Sequence, residues 1–250
     1  MSSQNLYDDQ KFFDGYAQLP RSQRGLDGAP EWKSIEAMLP QDFTGYNVLD
    51  LGAGYGWFSR YAVGRGATHV DALDISSKMI EKAKELTAAE CLPSISYKVQ
   101  DLEHFKATDY PTSYDLVYCS LTLHYIVGLK ELLENVYQCL KPGGAFVFTA
   151  EHPIFTAAKN PQPWWIENNS SKIWPVSHYS VEGERTTNWI TEGIVKQHRK
   201  LSTYINLLIQ VGFKIDQIDE WGPSAQQIKD NPSLDEEKDR PMMFLMSLHK

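Results

Sequence analysis

Residues 47–59 read NVLDLGAGYGWFS, and this stretch decides the fold. A short apolar run, Val48, Leu49 and Leu51, carries Asp50 and empties into Gly52, Gly54 and Gly56, after which a helix-like pattern begins. Strand, tight turn and helix in that order open a nucleotide-binding α/β unit. Glycine suits the turn because it visits backbone angles closed to other residues and lets a ligand approach the main chain closely. The spacing is Gly-x-Gly-x-Gly. Trp57 stands where the Gly-x-Gly-x-x-Gly of a dinucleotide site puts its last glycine.

The same alternation continues outward. A second strand over 69–75 ends on Asp74, and Ser76 or Ser77 can cap the next helix, where Met79, Ala83 and Leu86 recur on one face. A third strand over 94–99 runs to Asp101, and a fourth covers 114–120. Leu129, Leu132, Leu133, Val136 and Leu140 mark an amphipathic helix, stopped at Lys141-Pro142-Gly143-Gly144 because proline cannot continue it and glycine permits the reversal. A fifth, apolar strand follows at 145–150. Helices are predicted at 7–19 and 31–39 before this core, and a helix at 202–211 with strands at 213–220 and 242–248 after it. Strands alternating with helices, several apolar throughout, predict a doubly wound α/β fold with a mostly parallel sheet covered on both faces.

Residues 151–195 break the rhythm. They hold Trp164, Trp165, Trp174 and Trp189 and show little periodicity, as expected of a functional loop or cap. The acidic stretch 234–240 reads as a solvated loop.

The chain has 250 residues, 42% of them hydrophobic, enough for one domain with a sizeable core. Lys+Arg 24 against Asp+Glu 32 gives a net charge of −8, the wrong sign for counterion-driven binding to nucleic acid. Cys91, Cys119 and Cys139 are odd in number and lack CxxC spacing, and Cys119 and Cys139, inside apolar patterns, read as reduced, buried thiols. No apolar run approaches the length of a membrane span, and the amino terminus is not a signal peptide. A soluble, cytoplasmic protein is expected, monomeric or homodimeric, with no metal, since no His/Cys/Asp cluster has ligand spacing.

Glycines and carboxylates at three strand ends point to one crevice. Together these residues resemble the class I S-adenosylmethionine-dependent methyltransferases. VLDLGAGYG matches their glycine motif, LDIS (73–76) the acidic end of the second strand, and VQDLEHF (99–105) the adenine-side motif. YDLVYCSLTLHYI (114–126) and LKPGGAFVFTAEH (140–152) match the fourth strand and the turn into the fifth. The resemblance implies a Rossmann-like, seven-stranded sheet with an antiparallel last strand. It also implies a single domain over 1–250: lid helices at 1–40, a cofactor-binding core at 41–150, a substrate-cap insertion at 151–195, and a closing helix and strands at 196–250.

By position, the backbone at Gly52, Ala53 and Gly54 would contact the methionine part of S-adenosylmethionine. Asp74, followed by Ile75, would hold the ribose hydroxyls, Asp101 and Leu102 would bracket the adenine, and Ser120 would lie beneath the sulfonium. Tyr16 and Arg21 are candidates for the cofactor carboxylate. The fourth strand ends Cys119-Ser120-Leu121-Thr122-Leu123-His124, not in the Asn/Asp-Pro-Pro-Tyr pattern of the branch that methylates nucleic-acid and protein amino groups. A small-molecule acceptor is expected, at O or N rather than C. Three histidines near strand ends, His124, His152 and His198, are candidate bases, because neutral imidazole suits deprotonation near neutral pH. Arg185 and Arg199 are candidates to clamp an acidic group, and Tyr7, Trp164 and Trp165 to wall the acceptor site. The alternatives are a non-catalytic protein keeping this fold and, less favoured by the glycine spacing, a nicotinamide-dependent oxidoreductase.

Overall fold

The structure is a computed structural model that describes residues 3–90, 92–110, 113–159, 165–168 and 171–250. In chain order its strands are β1 (Asn47–Leu51), β2 (His69–Asp74), β3 (Ile95–Val99), β4 (Tyr114–Ser120) and β5 (Leu140–Glu151). These are followed by β6 (Ile166–Asn168), β7 (Ser171–Ile173), β8 (Gly183–Trp189), β9 (Thr191–His198), β10 (Lys214–Glu220) and β11 (Met243–His249). One seven-stranded sheet has the order β10-β11-β5-β4-β1-β2-β3, with β11 antiparallel to both neighbours. The chain winds outward from β1 to β3, then returns to place β4 on the other side of β1. A crevice therefore opens at the carboxyl ends of β1 and β4, where such sheets bind ligands.

Central strands are covered on both faces, which is why they are apolar at nearly every position. Val48 packs with Trp32, Phe58 and Ala62, while its neighbour Leu49 packs with Leu132, Leu133, Val136 and Leu208. Successive strand side chains point to opposite faces, and burying one such side chain contributes roughly 1.5–3 kcal/mol. The helices are α1 (Gln10–Tyr16), α2 (Pro20–Arg24), α3 (Trp32–Met38), α4 (Trp57–Gly64), α5 (Ser77–Glu90), α6 (Leu129–Cys139), α7 (Pro153–Thr156), α8 (Leu201–Val211) and α9 (Ala225–Asp230). Ser76 caps α5, its Oγ accepting from Met79 N at 3.1 Å. Cys119 and Cys139 are buried free thiols, and Cys91 lies outside the described residues.

Four sequence expectations change. The predicted 7–19 helix is a 3-10 turn at Leu6–Asp8, then α1, then a separate α2 begun by Pro20. Lys141–Gly144 ends α6 but is absorbed into β5, where the Gly143 and Gly144 backbones pair with Lys250 at 3.0 Å. The insertion is not loop: it forms the hairpins β6–β7 and β8–β9. Residues 234–240 are not a solvated loop either. Glu237 and Arg240 are a buried ion pair at 2.5 Å, and the Arg240 guanidinium lies 4.5–5.5 Å from the Phe155, Trp165 and Trp174 rings. This arginine, with Trp165 Nε1 donating to Glu236 at 2.7 Å, fastens the insertion to the last strand's approach.

Candidate active site

The donor side of the site is built on the turn after β1. Gly52 and Gly54 have φ of +76° and +52°, and the Gly52 and Ala53 amides donate to Leu73 O at 2.8 and 2.9 Å. A Cβ on Gly52 would fall 2.1 Å from Thr122 Oγ1, so the turn lies tight against the end of β4. At Gly54 the space is open, the nearest atom to such a Cβ being Tyr16 Oη at 3.8 Å. Residues 52–54 are half-buried between the buried strand and buried Tyr55. That cradle fits a ligand that lies along the backbone.

Asp74 closes the cradle from below. Its carboxylate accepts from Gly54 N at 2.8 Å and from Ser76 N at 2.9 Å. Burial pushes its pKa up to about 6, although these two N–H bonds pull the other way. Asp50, which the sequence reading did not assign to the site, accepts from Ser59 Oγ at 2.6 Å and is raised by burial to about 7. Tyr16 hangs over the turn from the end of α1, its phenol pushed up to about 12 by burial, with Arg21 and Asp74 among its charged neighbours. Arg21 is already bonded to fully buried Glu31 at 3.0 Å.

A strap not foreseen in the sequence crosses the same strand ends. Ser3 Oγ donates to Asp101 Oδ2 at 2.6 Å, and Asn5 Nδ2 donates to Ile75 O at 3.3 Å. Asp8 accepts from Ser76 Oγ at 2.6 Å and Lys78 N at 3.1 Å, adding to the amino-terminal cap of α5. Gln4 Oε1 accepts from Val195 N on β9 at 3.0 Å. Asp101 also caps the following turn through Glu103 N, while Leu102 is buried in the core. Ser120 Oγ lies 3.2 Å from Thr149 Oγ1 at the end of β4.

The other wall brings together His124, Glu151 and Lys196. Lys196 Nζ donates to Glu151 Oε1 at 2.5 Å, both side chains being largely buried. His124 Nδ1 accepts from Glu151 N at 3.3 Å, and its Nε2 stands 3.9 Å from Glu151 Oε1. Burial pushes the imidazole down to about 4, with Lys196 and Arg199 acting in the same direction, so the ring is neutral. Burial tends to raise the Glu151 carboxyl, but the charge and hydrogen bond of Lys196 hold it below its ordinary value. The Lys196 ammonium lies 5.8–6.0 Å from the Tyr125, Phe155 and Trp189 rings. Tyr7, half-buried and hydrogen-bonded to Tyr125, sets its ring 5.5 Å from Tyr16 and so joins the two walls.

The remaining candidates take structural positions. His152 is not brought to this cluster: its Nδ1 accepts from Ile154 N, capping α7, and its Nε2 turns to Glu220 at 2.7 Å. His198 has both ring nitrogens engaged, by Thr156 Oγ1 at 2.8 Å and Tyr179 O at 2.9 Å. Arg185 spends its donors on the carbonyls of Ala157, His178, Val181, Gly183 and Glu184, which leaves no fork for a ligand acid. Arg199 bonds the carbonyls of Ile126 and Val127 at 2.5 and 2.9 Å, and its buried Nη1 has no partner. Trp165 packs at 5.5 Å on Trp174, away from Lys196, and Trp164 lies outside the described residues. Trp189, at the tip of β8–β9, meets Phe12 at 5.8 Å, and Ile190 beside it covers Gly15 of α1. Sequence reasoning missed Glu151 and Lys196. The one available signal was a charged residue at an inward position, each next but one to a buried neighbour.

A doubly wound sheet with this glycine cradle, flanking carboxylates and aromatic cover defines a transferase built around a nucleoside cofactor. The methyltransferase domain family matches residues 48–144. An S-adenosylmethionine-dependent methyltransferase of Mesorhizobium loti is 43% identical, with a TM-score of 0.82, over 90% of this chain and 100% of that one. An uncharacterized protein of Haemophilus influenzae is 31% identical over 243 residues, 96% of this chain and 95% of that one. A malonyl-[acyl-carrier protein] O-methyltransferase of Erwinia billingiae is 35% identical over 105 residues, 42% of this chain and 39% of that one. The chain belongs to the class I S-adenosylmethionine-dependent methyltransferases, and its cofactor is S-adenosylmethionine. Among the described residues, no helix is long and apolar enough to cross a membrane.

Proposed function

We propose that the protein transfers a methyl group from S-adenosylmethionine to an oxygen or nitrogen of a small organic acceptor. The observation that carries this reading is the juxtaposition of two walls. The Gly52–Gly54 cradle stands on one side, and on the other a buried ionic and aromatic cluster occupies the ends of β4, β5 and β9. The acidic balance of the chain speaks against a nucleic-acid acceptor.

When bound, the cofactor supplies a methyl carbon activated by positive sulfur. The Gly52–Gly54 backbone and Tyr16 would hold its amino-acid part, Asp74 its ribose, Asp101 and Leu102 its adenine, with Ser120 at the reacting end. The chain's own work is to align the acceptor, exclude water beneath α1 and the β8–β9 tip, and manage charge at the acceptor atom. The matched part of the malonyl-[acyl-carrier protein] enzyme amounts to 42% of this chain, so its substrate says little about the acceptor here.

Calorimetry with S-adenosylhomocysteine tests the donor half of the reading, and a turnover screen against pooled metabolites, read by mass spectrometry as a gain of one CH2, tests the acceptor half. A second reading, a regulatory protein that keeps the fold, draws on the strap: Ser3 and Asn5 occupy the polar atoms at Asp101 and Ile75. Absence of binding heat in the intact chain, with heat restored by removing residues 1–8, would favour it.

A further inference from the structure

The Lys196–Glu151–His124 cluster contains one atom without an occupation. Glu151 Oε1 takes Lys196, while His124 Nδ1 takes the Glu151 main-chain N–H and its Nε2 stands 3.9 Å from that same oxygen, beyond hydrogen-bond reach. Glu151 Oε2 is buried and has no hydrogen-bond partner. Leaving such an atom unpaired costs about 1–3 kcal/mol, and more when the group is charged. The charged and titratable groups facing this carboxylate are Lys196 from β9, His124 and Tyr125 from the turn after β4, Tyr204 from α8, and Arg240. Building on the methyl-transfer reading above, we infer that Glu151 Oε2 receives an N–H of the methyl acceptor, and that the acceptor is a primary or secondary amine on an apolar or aromatic frame.

Three features choose an amine. An atom that can only accept a hydrogen bond wants a donor, so an ionised carboxylic acid would face it anion to anion. The aromatic rings that could hold a permanent cation already surround the chain's own Lys196 ammonium. A hydroxyl acceptor must shed its proton during transfer, and a carboxylate held ionised by Lys196 is a weak base for that task. An aliphatic amine is an ammonium in neutral water, as a lysine side chain is; it gives that proton to solvent before transfer, and the free base then needs none removed as the bond forms. Its lone pair forms the new N–C bond while the C–S bond breaks and its electron pair stays on sulfur. The positive charge thereby passes from sulfur to nitrogen beside an ionised carboxylate, and the methylated product leaves as the ammonium.

The experiment uses the full chain with a pool of benzylamine, phenethylamine, tyramine and their N-methyl derivatives, and matched pools of the corresponding alcohols and carboxylic acids. With S-adenosylmethionine, the amine pool is expected to gain methyl groups at least about tenfold faster than either other pool, the ratio set by one hydrogen bond to a charged group. Ligand-observed NMR on the S-adenosylhomocysteine complex is expected to show amines binding, and Glu151→Gln to weaken that binding about tenfold while homocysteine-nucleoside affinity stays within about twofold. Methylation confined to alcohols or acids, no amine binding to a complex that calorimetry shows to be formed, or equal amine binding by a folded Glu151→Gln variant overturns the inference. If the variant does not fold, the wild-type pools decide alone. Absence of S-adenosylhomocysteine binding instead overturns the donor reading itself.

Discussion

The two walls of the crevice handle charge in opposite ways. On the donor side, Asp74 and Asp50 are buried carboxylates satisfied by neutral donors, main-chain N–H groups and a serine hydroxyl, and burial raises both. On the acceptor side, Glu151 is buried against a full cation and is held ionised. The first arrangement rests on backbone that a glycine motif fixes locally. The second needs residues 124, 151 and 196 to meet from three elements. The lesson is that a wall made of main chain is set by a few adjacent residues, whereas a wall made of side chains depends on residues far apart in the chain.

The largest expected effect falls on the second wall. Lys196→Met leaves Glu151 buried without its cation and is expected to cost about 3–5 kcal/mol of stability, the usual result of removing one partner of a buried pair. Denaturant melts read the loss. An unchanged melt would show that solvent reaches Glu151 and would erase the contrast between the walls. Next comes Asp74→Ala, expected to weaken S-adenosylhomocysteine binding by about 1.5–3 kcal/mol in calorimetry, as for a lost hydrogen bond to a charged group. Lys196→Met should leave that affinity nearly untouched.

Acidity separates the walls by sign. Between the ordinary carboxylate value of about 4 and the raised values of about 6 and about 7, Asp74 and Asp50 bind more protons folded than unfolded. Their contribution therefore makes the free protein less stable as pH rises through that window. S-adenosylhomocysteine affinity should move the other way, rising as Asp74 ionises through about pH 6 and becomes able to accept two ribose hydroxyls. The Glu151–Lys196 pair behaves oppositely, its stabilisation being present at neutral pH and lost as pH falls through the lowered Glu151 value. Melting curves from well below the ordinary carboxylate range up to neutral pH read both stability trends, and calorimetry through about pH 6 reads the affinity. The smallest effect is Asp8→Ala, which removes a cap-like acceptor at α5 and is expected to cost about 1 kcal/mol in a thermal melt.

Much of the donor wall could be read in the sequence because its signals are local. The glycine spacing, the acids at the ends of β2 and β3, and the apolar runs each depend on a few adjacent residues; the alternation of strands and helices gave a mostly parallel sheet, while the antiparallel last strand came from the family resemblance. The acceptor wall resisted reading for a physical reason. The inward residues of β8 and β9 are Arg185, Thr187, Ile194, Lys196 and His198, so the strands keep a period of two in burial without one in hydrophobicity. A polar residue facing a site looks, in sequence, like a residue facing water. Arg240 misled for the same reason, since an aromatic cage gathered from Phe155, Trp165 and Trp174 leaves no mark near residue 240. His152 drew attention through its place after β5, yet the neighbouring Glu151 points the other way along the alternation and joins the cluster.

The strap at residues 3–8 couples the two sides of the crevice mechanically. Ser3 rests on the acid of the donor side, and the adjacent Gln4 holds the edge of the β8–β9 hairpin. A disturbance at one residue is thus transmitted to the other over a single peptide unit. The carboxyl end of the sheet and the β8–β9 hairpin are therefore tied to one short length of backbone, and a pull on either contact is felt at the other.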